Sequence, residues 1–375
     1  MMNGTPMMNG HCAPRFAPLR DLLERRLADG DERGASLCVI QDGETVVDLW
    51  AGEASEGVPW ESDTLVNTFS VTKTMLALVV LSLADSGELD LDAPVARYWP
   101  EFAEKGKSGV LVRHVLGHTS GLPGWDATMT VEDLYDTRRA AALLAAQEPW
   151  FAPGDGSGYQ AISHGHLLGE LVLRATGSTA GELLRTRFAE PLEADYWLGA
   201  PESVDARVAR LKSPPHAPEL GEFGQRALLN PVLSMKVTTT REFLGAELGG
   251  FNGQGNARSV ARMQSPISHG GEIGGRRYLS PQVIERIFEV QSDSRDRVLG
   301  HRIPFGMGYA LPTPNLMPTP SGRICWWVGH GGAVVVNDLD RRTTLAYAMN
   351  KMAAELVGAA KTRDYVRATY ECLGS

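Results

Sequence analysis

The sequence predicts a mixed α/β (α+β) fold, with a sheet assembled from both ends of the chain and a helical insertion between them. Three observations carry this expectation. Short β-rich runs stand near the N-terminus, at Ala35 to Ile40 and Thr45 to Trp50, and return near the C-terminus at Ile324–Val328, Ala333–Val336 and Thr343–Met349. The stretch of roughly 90–290 alternates helical spacing with Gly- and Pro-rich loops. Strands and helices do not alternate one by one, as the βαβ units of a parallel sheet require. The chain has 375 residues. Single cores stop growing near roughly 250–300 residues, so one unit of two lobes sharing a core is expected.

Residues 1–13 read as a flexible lead-in. From Phe16 the apolar positions Phe16, Leu19, Leu22, Leu23 and Leu27 follow helical spacing and stop at Gly30. The first two β runs are joined by Gln41-Asp42-Gly43-Glu44, and Asp-Gly is a strong hairpin signal. Ser70 to Ala84 reads as a helix that is apolar on most faces and ends at Ser86-Gly87. Such a helix is normally central and buried. Further helices are expected near Arg113–Leu116, Val131–Gln147, His164–Ala175, Ala180–Phe188, 258–263 and 281–290, with a loop from Gly199 to Pro231 around Pro214-Pro215 and Pro218. Turns at Gly329–Gly332 and Asp338–Arg342 separate the last three strands, and a final helix is expected from Ala353 to Tyr370. The resulting division is a single unit over 14–375, with an α/β lobe from 14–84 and 290–375 and a mostly helical lobe over 85–289.

Composition removes several classes of function. The formal charge is −9, so the basic face of a nucleic-acid binder is not expected. The first residues lack the basic start and apolar run of a secretory signal, and the longest apolar segment, Met75 to Ala84, is far short of a membrane span. A cytoplasmic protein is therefore expected. Cys12, Cys38, Cys325 and Cys372 are far apart with no C-x-x-C, which favours reduced thiols over a metal site or disulfide framework. No metal and no cofactor is implied, and the oligomeric state is left open.

The chemistry is concentrated in three places. Phe69-Ser70-Val71-Thr72-Lys73 opens the apolar helix. Residues three apart share a helical face, so the Ser70 hydroxyl and Lys73 amine can approach each other. The helix N-terminus favours an alkoxide, and burial lowers a lysine pKa, which makes Lys73 a candidate neutral base. Lysine is scarce here, only 7 residues in the chain, and chance pairing with the 22 serines gives about 0.4 Ser-x-x-Lys matches. The alternative is a Ser N-cap with a lysine that reaches solvent. Tyr159, in Gly156-Ser157-Gly158-Tyr159-Gln160-Ala161, is the candidate second proton carrier. A phenol beside a lysine ammonium is expected to have a lowered pKa. Third, Val328-Gly329-His330-Gly331-Gly332-Ala333 borders an apolar strand, and the N–H groups of Ser70 and Ala333 are the candidate oxyanion hole.

In this order and at these places, the three elements resemble the serine β-lactamase/penicillin-binding-protein superfamily, and within it the class C β-lactamase-like esterases (family VIII carboxylesterases). The likeness covers about residues 16–370. It extends to Leu89-Asp90-Leu91-Asp92-Ala93-Pro94-Val95 with Tyr98-Trp99-Pro100, to Val115-Leu116-Gly117-His118-Thr119-Ser120-Gly121-Leu122-Pro123, and to Tyr347-Ala348-Met349-Asn350-Lys351-Met352. The resemblance implies a central antiparallel sheet flanked by terminal helices beside a mostly helical lobe. It also implies an acyl-enzyme on Ser70, with Lys73 and Tyr159 sharing the acid–base steps. His330 would replace the lysine of the β-lactamase Lys-Thr-Gly motif. Together with Gly331, Gly332 and Trp327 it would contact substrate.

Two departures point away from penicillin-like substrates. Ala161 stands where class C β-lactamases carry an amide-binding Asn, and His330 replaces a permanent cation. The expected substrate is therefore a small neutral acyl ester. Acyl transfer through the same acyl-enzyme is the alternative, and β-lactamase or D-amino-acid peptidase action a more distant one. Trp125, Trp150, Phe151, Trp326 and Trp327 are candidates to line an apolar acyl pocket. Other motifs are set aside. His164-Gly165-His166 places two side chains on diverging helical directions, and neither Ser120 nor Ser157 has the first Gly of a lipase elbow.

Overall fold

The architecture follows from how the two ends of the chain pair. A computed structural model describes residues 8–374. Strands β1 (Asn9–Cys12), β2 (Gly34–Gln41), β3 (Glu44–Ser55), β4 (Ile324–Val328), β5 (Val334–Asp338) and β6 (Thr343–Met349) form one sheet in the order β1-β3-β2-β6-β5-β4. Every pairing is antiparallel, and the short strand Val58–Pro59 adds to the β3 edge. The join between the N- and C-terminal halves is the β2–β6 ladder, with Ala35 opposite Met349 and Gln41 opposite Thr343. The fold is the α/β arrangement expected, a central antiparallel sheet with helices.

The central strands are continuous apolar runs because they are covered on both faces. All of β6 is buried, as is β2 apart from its last residue. Helices α1 (Ala17–Ala28) and α5 (Ala360–Leu373) pack together, and α5 touches β6, while α4 (Ala257–Ser268) packs against β2, β5 and β6. Helix α2 (Thr72–Asp85) is buried along nearly its whole length and contacts both α4 and α3 (Ser163–Thr176). The β2–β3 turn puts both Asp42 (φ 49°) and Gly43 (φ 85°) in the left-handed region, the backbone an Asp-Gly hairpin turn requires.

Several boundaries differ from expectation. Residues 9–12 are not a flexible lead-in but the edge strand β1, running from Asn9 opposite Trp50 to Cys12 opposite Val47. A short polar edge strand carries no apolar alternation to reveal it. Residues 1–7 of that lead-in lie outside the described residues. The helix expected over Val131–Gln147 breaks at Asp136, whose side chain caps the second piece by accepting from the Arg139 N–H. The last helix starts at Ala360 rather than Ala353, after Gly358 with φ 79°. Helix α4 falls inside the span assigned to the helical lobe yet packs on the sheet, so the lobes interleave in sequence. No described helix is long and apolar enough to cross a membrane.

Asn350 fastens the two halves at the end of β6. Its Oδ1 accepts the Gly34 N–H at 3.0 Å, and its Nδ2 donates to the Glu53 and Ala54 carbonyls at 2.7 and 3.0 Å, all in a fully buried setting. Removing it leaves the buried Gly34 N–H without its partner and takes a donor from the Glu53 and Ala54 carbonyls. Asn350→Ala is expected to cost about 2–4 kcal/mol of stability, read as a fall in the urea midpoint of unfolding followed by far-UV circular dichroism.

Candidate active site

Ser70 stands on a sharp turn rather than on the helix proper. A 3₁₀ turn, Phe69–Val71, leads directly into α2. Phe69 holds φ 45°, a left-handed conformation that costs a non-glycine residue roughly 1 kcal/mol or more. Its neighbours enforce the turn. Asn67 Oδ1 accepts the Phe69 N–H at 3.0 Å, Thr68 N–H donates to the Gly253 carbonyl at 2.9 Å, and Thr72 Oγ1 donates to the Phe69 carbonyl while accepting the Gly253 N–H. Tyr196 closes this network through a hydroxyl contact with Thr68 Oγ1 at 2.9 Å.

One turn on, Lys73 is 1% exposed. Its Nζ lies 3.2 Å from Ser70 Oγ and donates to the carbonyls of Ala161 and Gly250, both at 2.7 Å. No ion pair joins Lys73 among the described residues, and burial holds its pKa well below the ordinary lysine value. A neutral amine has two hydrogens and one lone pair. In that form, with both hydrogens on the two carbonyls, the lone pair would be free to take the Ser70 hydroxyl proton.

Tyr159 packs under this amine, with Nζ 4.7 Å from the ring centroid. Its hydroxyl interacts with Ser70 and accepts the Trp327 Nε1–H at 3.1 Å. The expectation of a lowered phenol pKa is corrected. Burial raises it above the ordinary value, and the hydrogen bonds with Ser70 and Trp327 offset only part of that. Tyr159 thus keeps its proton.

The Gly-rich loop presses on the nucleophile turn. A Cβ on Gly329 would lie 2.2 Å from the Thr68 carbonyl oxygen. Gly329 N–H donates to the Ala333 carbonyl at 2.8 Å, which folds the loop back on itself. The His330 ring packs on Phe69 at 5.6 Å between centroids, its Nε2 has no hydrogen-bond partner, and burial lowers its pKa. It is a neutral imidazole. Trp327, not His330, stands against the Tyr159 hydroxyl.

These groups open into a cavity of about 690 Å3, bordered by Ser70, Tyr159, Trp327 and His330 and by no Asp, Glu, Lys or Arg. Ala333, Gly331 and Gly332 are not among the residues that border it. They support the loop from behind. A Cβ on Gly331 would meet Met352, and the Gly332 carbonyl accepts from Thr362 Oγ1 at 2.7 Å. The backbone N–H groups of Ser70, His330 and Ala333 have no hydrogen bond outside their own elements among the described residues, and Ser70 and His330 border the cavity. Of the five aromatics expected to line it, only Trp327 does. Trp125 and Trp326 are core residues, and Trp150 and Phe151 pack near Phe223.

Sequence reasoning missed three supports. His118 stacks edge-on against Tyr159 at 4.8 Å and accepts the Gln160 N–H on Nδ1 at 3.3 Å. Asp296 is buried, accepts the N–H groups of Val298 and Leu299 at 2.9 and 2.8 Å, and interacts with Ser157 and the Tyr159 backbone. In Ser294-Arg295-Asp296-Arg297 it looks like one charge on a polar surface, and nothing in the sequence sets it apart. The Gly250 carbonyl has no signature at all. His164 stacks on His118 and His166 Nε2 contacts the Leu134 carbonyl at 3.0 Å, and no three ligand-type side chains group around a metal position among the described residues.

The sequence matches the family described as Beta-lactamase over residues 19–368. It is 33% identical to the esterase/β-lactamase LipL of Mycobacterium tuberculosis over 371 residues, 93% of this chain and 84% of that protein. Among solved structures, a family VIII carboxylesterase superposes with a TM-score of 0.92 at 38% identity, covering 98% of this chain and all of that one. A novel penicillin-binding-protein homologue from Caulobacter crescentus superposes with a TM-score of 0.93 at 36% identity, over the same shares of the two chains.

The Lys73 environment fixes the pH response of Ser70. A protonated amine cannot accept the hydroxyl proton, so Ser70 reactivity rises as pH climbs through the Lys73 pKa. Because that pKa lies well below 10.5, reactivity is expected to reach its plateau before pH 10. An unshifted lysine would still be rising there. Labelling rate with a fluorophosphonate across pH 5–10.5 checks this, and Lys73→Arg, permanently charged, is expected to lower the rate by about 10² or more.

Proposed function

This chain belongs to the β-lactamase family and is a β-lactamase-related serine hydrolase, and from that premise we propose that it is a carboxylesterase that cleaves neutral acyl esters through an acyl-enzyme on Ser70. The observation that carries the proposal is the pairing of Ser70 with a buried lysine amine that no carboxylate pairs, 3.2 Å away, beside a cavity whose lining holds no Asp, Glu, Lys or Arg. The likeness to the family VIII carboxylesterase supports the esterase assignment.

In this mechanism Ser70 Oγ attacks the ester carbonyl as its proton passes to the Lys73 lone pair. The carbonyl oxygen gains negative charge and is held by the N–H group of Ser70 and one from the Gly329–Ala333 loop, preset donors that need no reorganisation during the reaction. Collapse of the tetrahedral species breaks the bond to the alcohol oxygen. Tyr159, protonated and between Ser70 and Trp327, gives that oxygen a proton and is replenished from Lys73. Water then enters, loses a proton to the same groups and attacks the acyl carbon, releasing the carboxylic acid and free Ser70.

A neutral ester suits the cavity better than a penicillin does. A β-lactam carboxylate needs a cation, His330 is neutral, and Ala161 offers no side-chain hydrogen bond. Wild type is expected to hydrolyse p-nitrophenyl esters and to leave a chromogenic cephalosporin intact. Ser70→Ala should abolish ester turnover and fluorophosphonate labelling together, and Tyr159→Phe should reduce kcat by about 10²–10⁴. Full turnover by Ser70→Ala would defeat the proposal. Added alcohols or amines that divert the acyl group faster than water does would move the assignment to acyl transfer.

A further inference from the structure

The cavity beside Ser70 is much larger than the acetyl or propionyl group of a small ester needs. Its volume of about 690 Å3 is in the range, roughly 300–1,000 Å3, of sites that enclose a whole drug-sized ligand. Much of the wall comes from one segment, residues 213–235, which includes the helix Glu222–Leu228. From it Leu228, Leu229, Val232, Leu233 and Met235 border the cavity. Ile162 and Phe251 continue the apolar surface on the side of the Lys73 carbonyl partners.

A second observation concerns which apolar side chains are left in water. Among the described residues, the large aliphatic side chains exposed by half or more are Val58, Leu229, Val232 and Val290. Leu229, at 50%, and Val232, at 68%, both belong to this cavity wall. Scattered exposed valines need no explanation, but a pair at the margin of a catalytic cavity is apolar surface that a bound apolar chain would cover.

We propose that the 213–235 segment is the specificity wall of an apolar arm, and that this arm selects esters carrying an unbranched alkyl chain of butyl to octyl length over esters in which both parts are short. The inference rests on the ester-hydrolase proposal and names its substrate class. An uncharged far end fits it best, because the lining holds no Asp, Glu, Lys or Arg, and its ionisable side chains are the imidazoles of His216 and His330 and the Tyr159 phenol. It reaches the arm from the acyl or the alcohol side of the ester with the same chemistry. Each methylene that enters the arm is expected to raise kcat/KM by about fourfold until the arm is full.

Two substrate series, kept below micelle-forming concentrations, separate the two sides. The acyl series is p-nitrophenyl acetate, butyrate, hexanoate and octanoate. The alcohol series is ethyl, butyl and octyl acetate, followed by acid release in a pH-stat. Wild type is expected to gain at least about tenfold in kcat/KM from the shortest to the best chain in one of the series, and that series identifies the side that occupies the arm. Leu229→Asp and Val232→Asp should each cut the long-to-short ratio by about tenfold or more, whereas Val232→Leu keeps it. The ratio is internal to each variant, so partial loss of folded enzyme cancels. A flat or falling profile in both series, or a ratio unmoved by either aspartate, overturns the inference while Ser70-dependent acetate turnover leaves the esterase proposal standing. Absence of Ser70-dependent turnover of every ester overturns both.

Discussion

The site is organised around a lysine amine buried without a counter-charge. Enclosing an ammonium costs several kcal/mol unless an anion pairs with it, and no acid reaches Lys73. Burial therefore favours its neutral form, whose two hydrogens still need acceptors. Those acceptors arrive from separate elements: the Ala161 carbonyl just before α3, and the Gly250 carbonyl. They converge because the first turn of α3 lies directly on the 249–250 backbone. A Cβ at Gly165 would come within 2.2 Å of the Gly250 nitrogen. A side chain at that position would push the two elements apart and draw a carbonyl away from the amine. The base therefore depends on a contact made by residues that carry no chemistry.

The second close approach joins the nucleophile turn to the sheet. Thr68 and Gly329 come from opposite ends of the chain, yet the Thr68 carbonyl lies where a Gly329 side chain would begin. The β2–β6 ladder sets this distance, because it fixes the C-terminal strands against the N-terminal hairpin. β4 then delivers Trp327 to the Tyr159 hydroxyl and His330 to the ring of Phe69. On the far side of the loop, Lys361 adds a buried brace. It pairs with Glu32 at 3.2 Å and donates to the Lys351 carbonyl, and Tyr347 donates to the same carboxylate.

What was legible in the sequence was what has a local signature. Asp42-Gly43 specified its hairpin because two adjacent left-handed residues need that chemistry, and the apolar run after Ser70 marked a central helix because nothing else tolerates apolar residues on every face. Ser70, Lys73 and Tyr159 stood out for the same reason: their spacing and neighbours are unusual within a few residues. Features set by tertiary approach were not legible. The distinction between His330 and Trp327 at the Tyr159 hydroxyl depends on where β4 ends and its turn begins, a one-to-three-residue matter that decides which side chains face the cavity. β1 and Asp296 are polar and short in sequence context, so burial and pairing make them structural without leaving a pattern.

The electrostatics of the finished site have a common direction. The chain carries −9 overall, yet the titratable groups at the reacting centre are held uncharged: Lys73 and His330 have lowered pKa values, Tyr159 a raised one, and His118 behind it a lowered one, with burial as the leading cause each time. A neutral substrate entering a neutral site meets no strong field in its ground state. Charge appears when the Ser70 proton reaches Lys73 and the ester oxygen becomes an anion, and the two charges then form together at short range in a low-dielectric setting. Attraction between them, and from the waiting N–H groups, is felt in the transition state and not before it. Interactions that strengthen in this way raise kcat rather than merely tightening binding. A permanent cation in place of His330 would instead bind any anion at rest, and the imidazole there, its pKa lowered by burial, agrees with the neutral ester proposed as substrate.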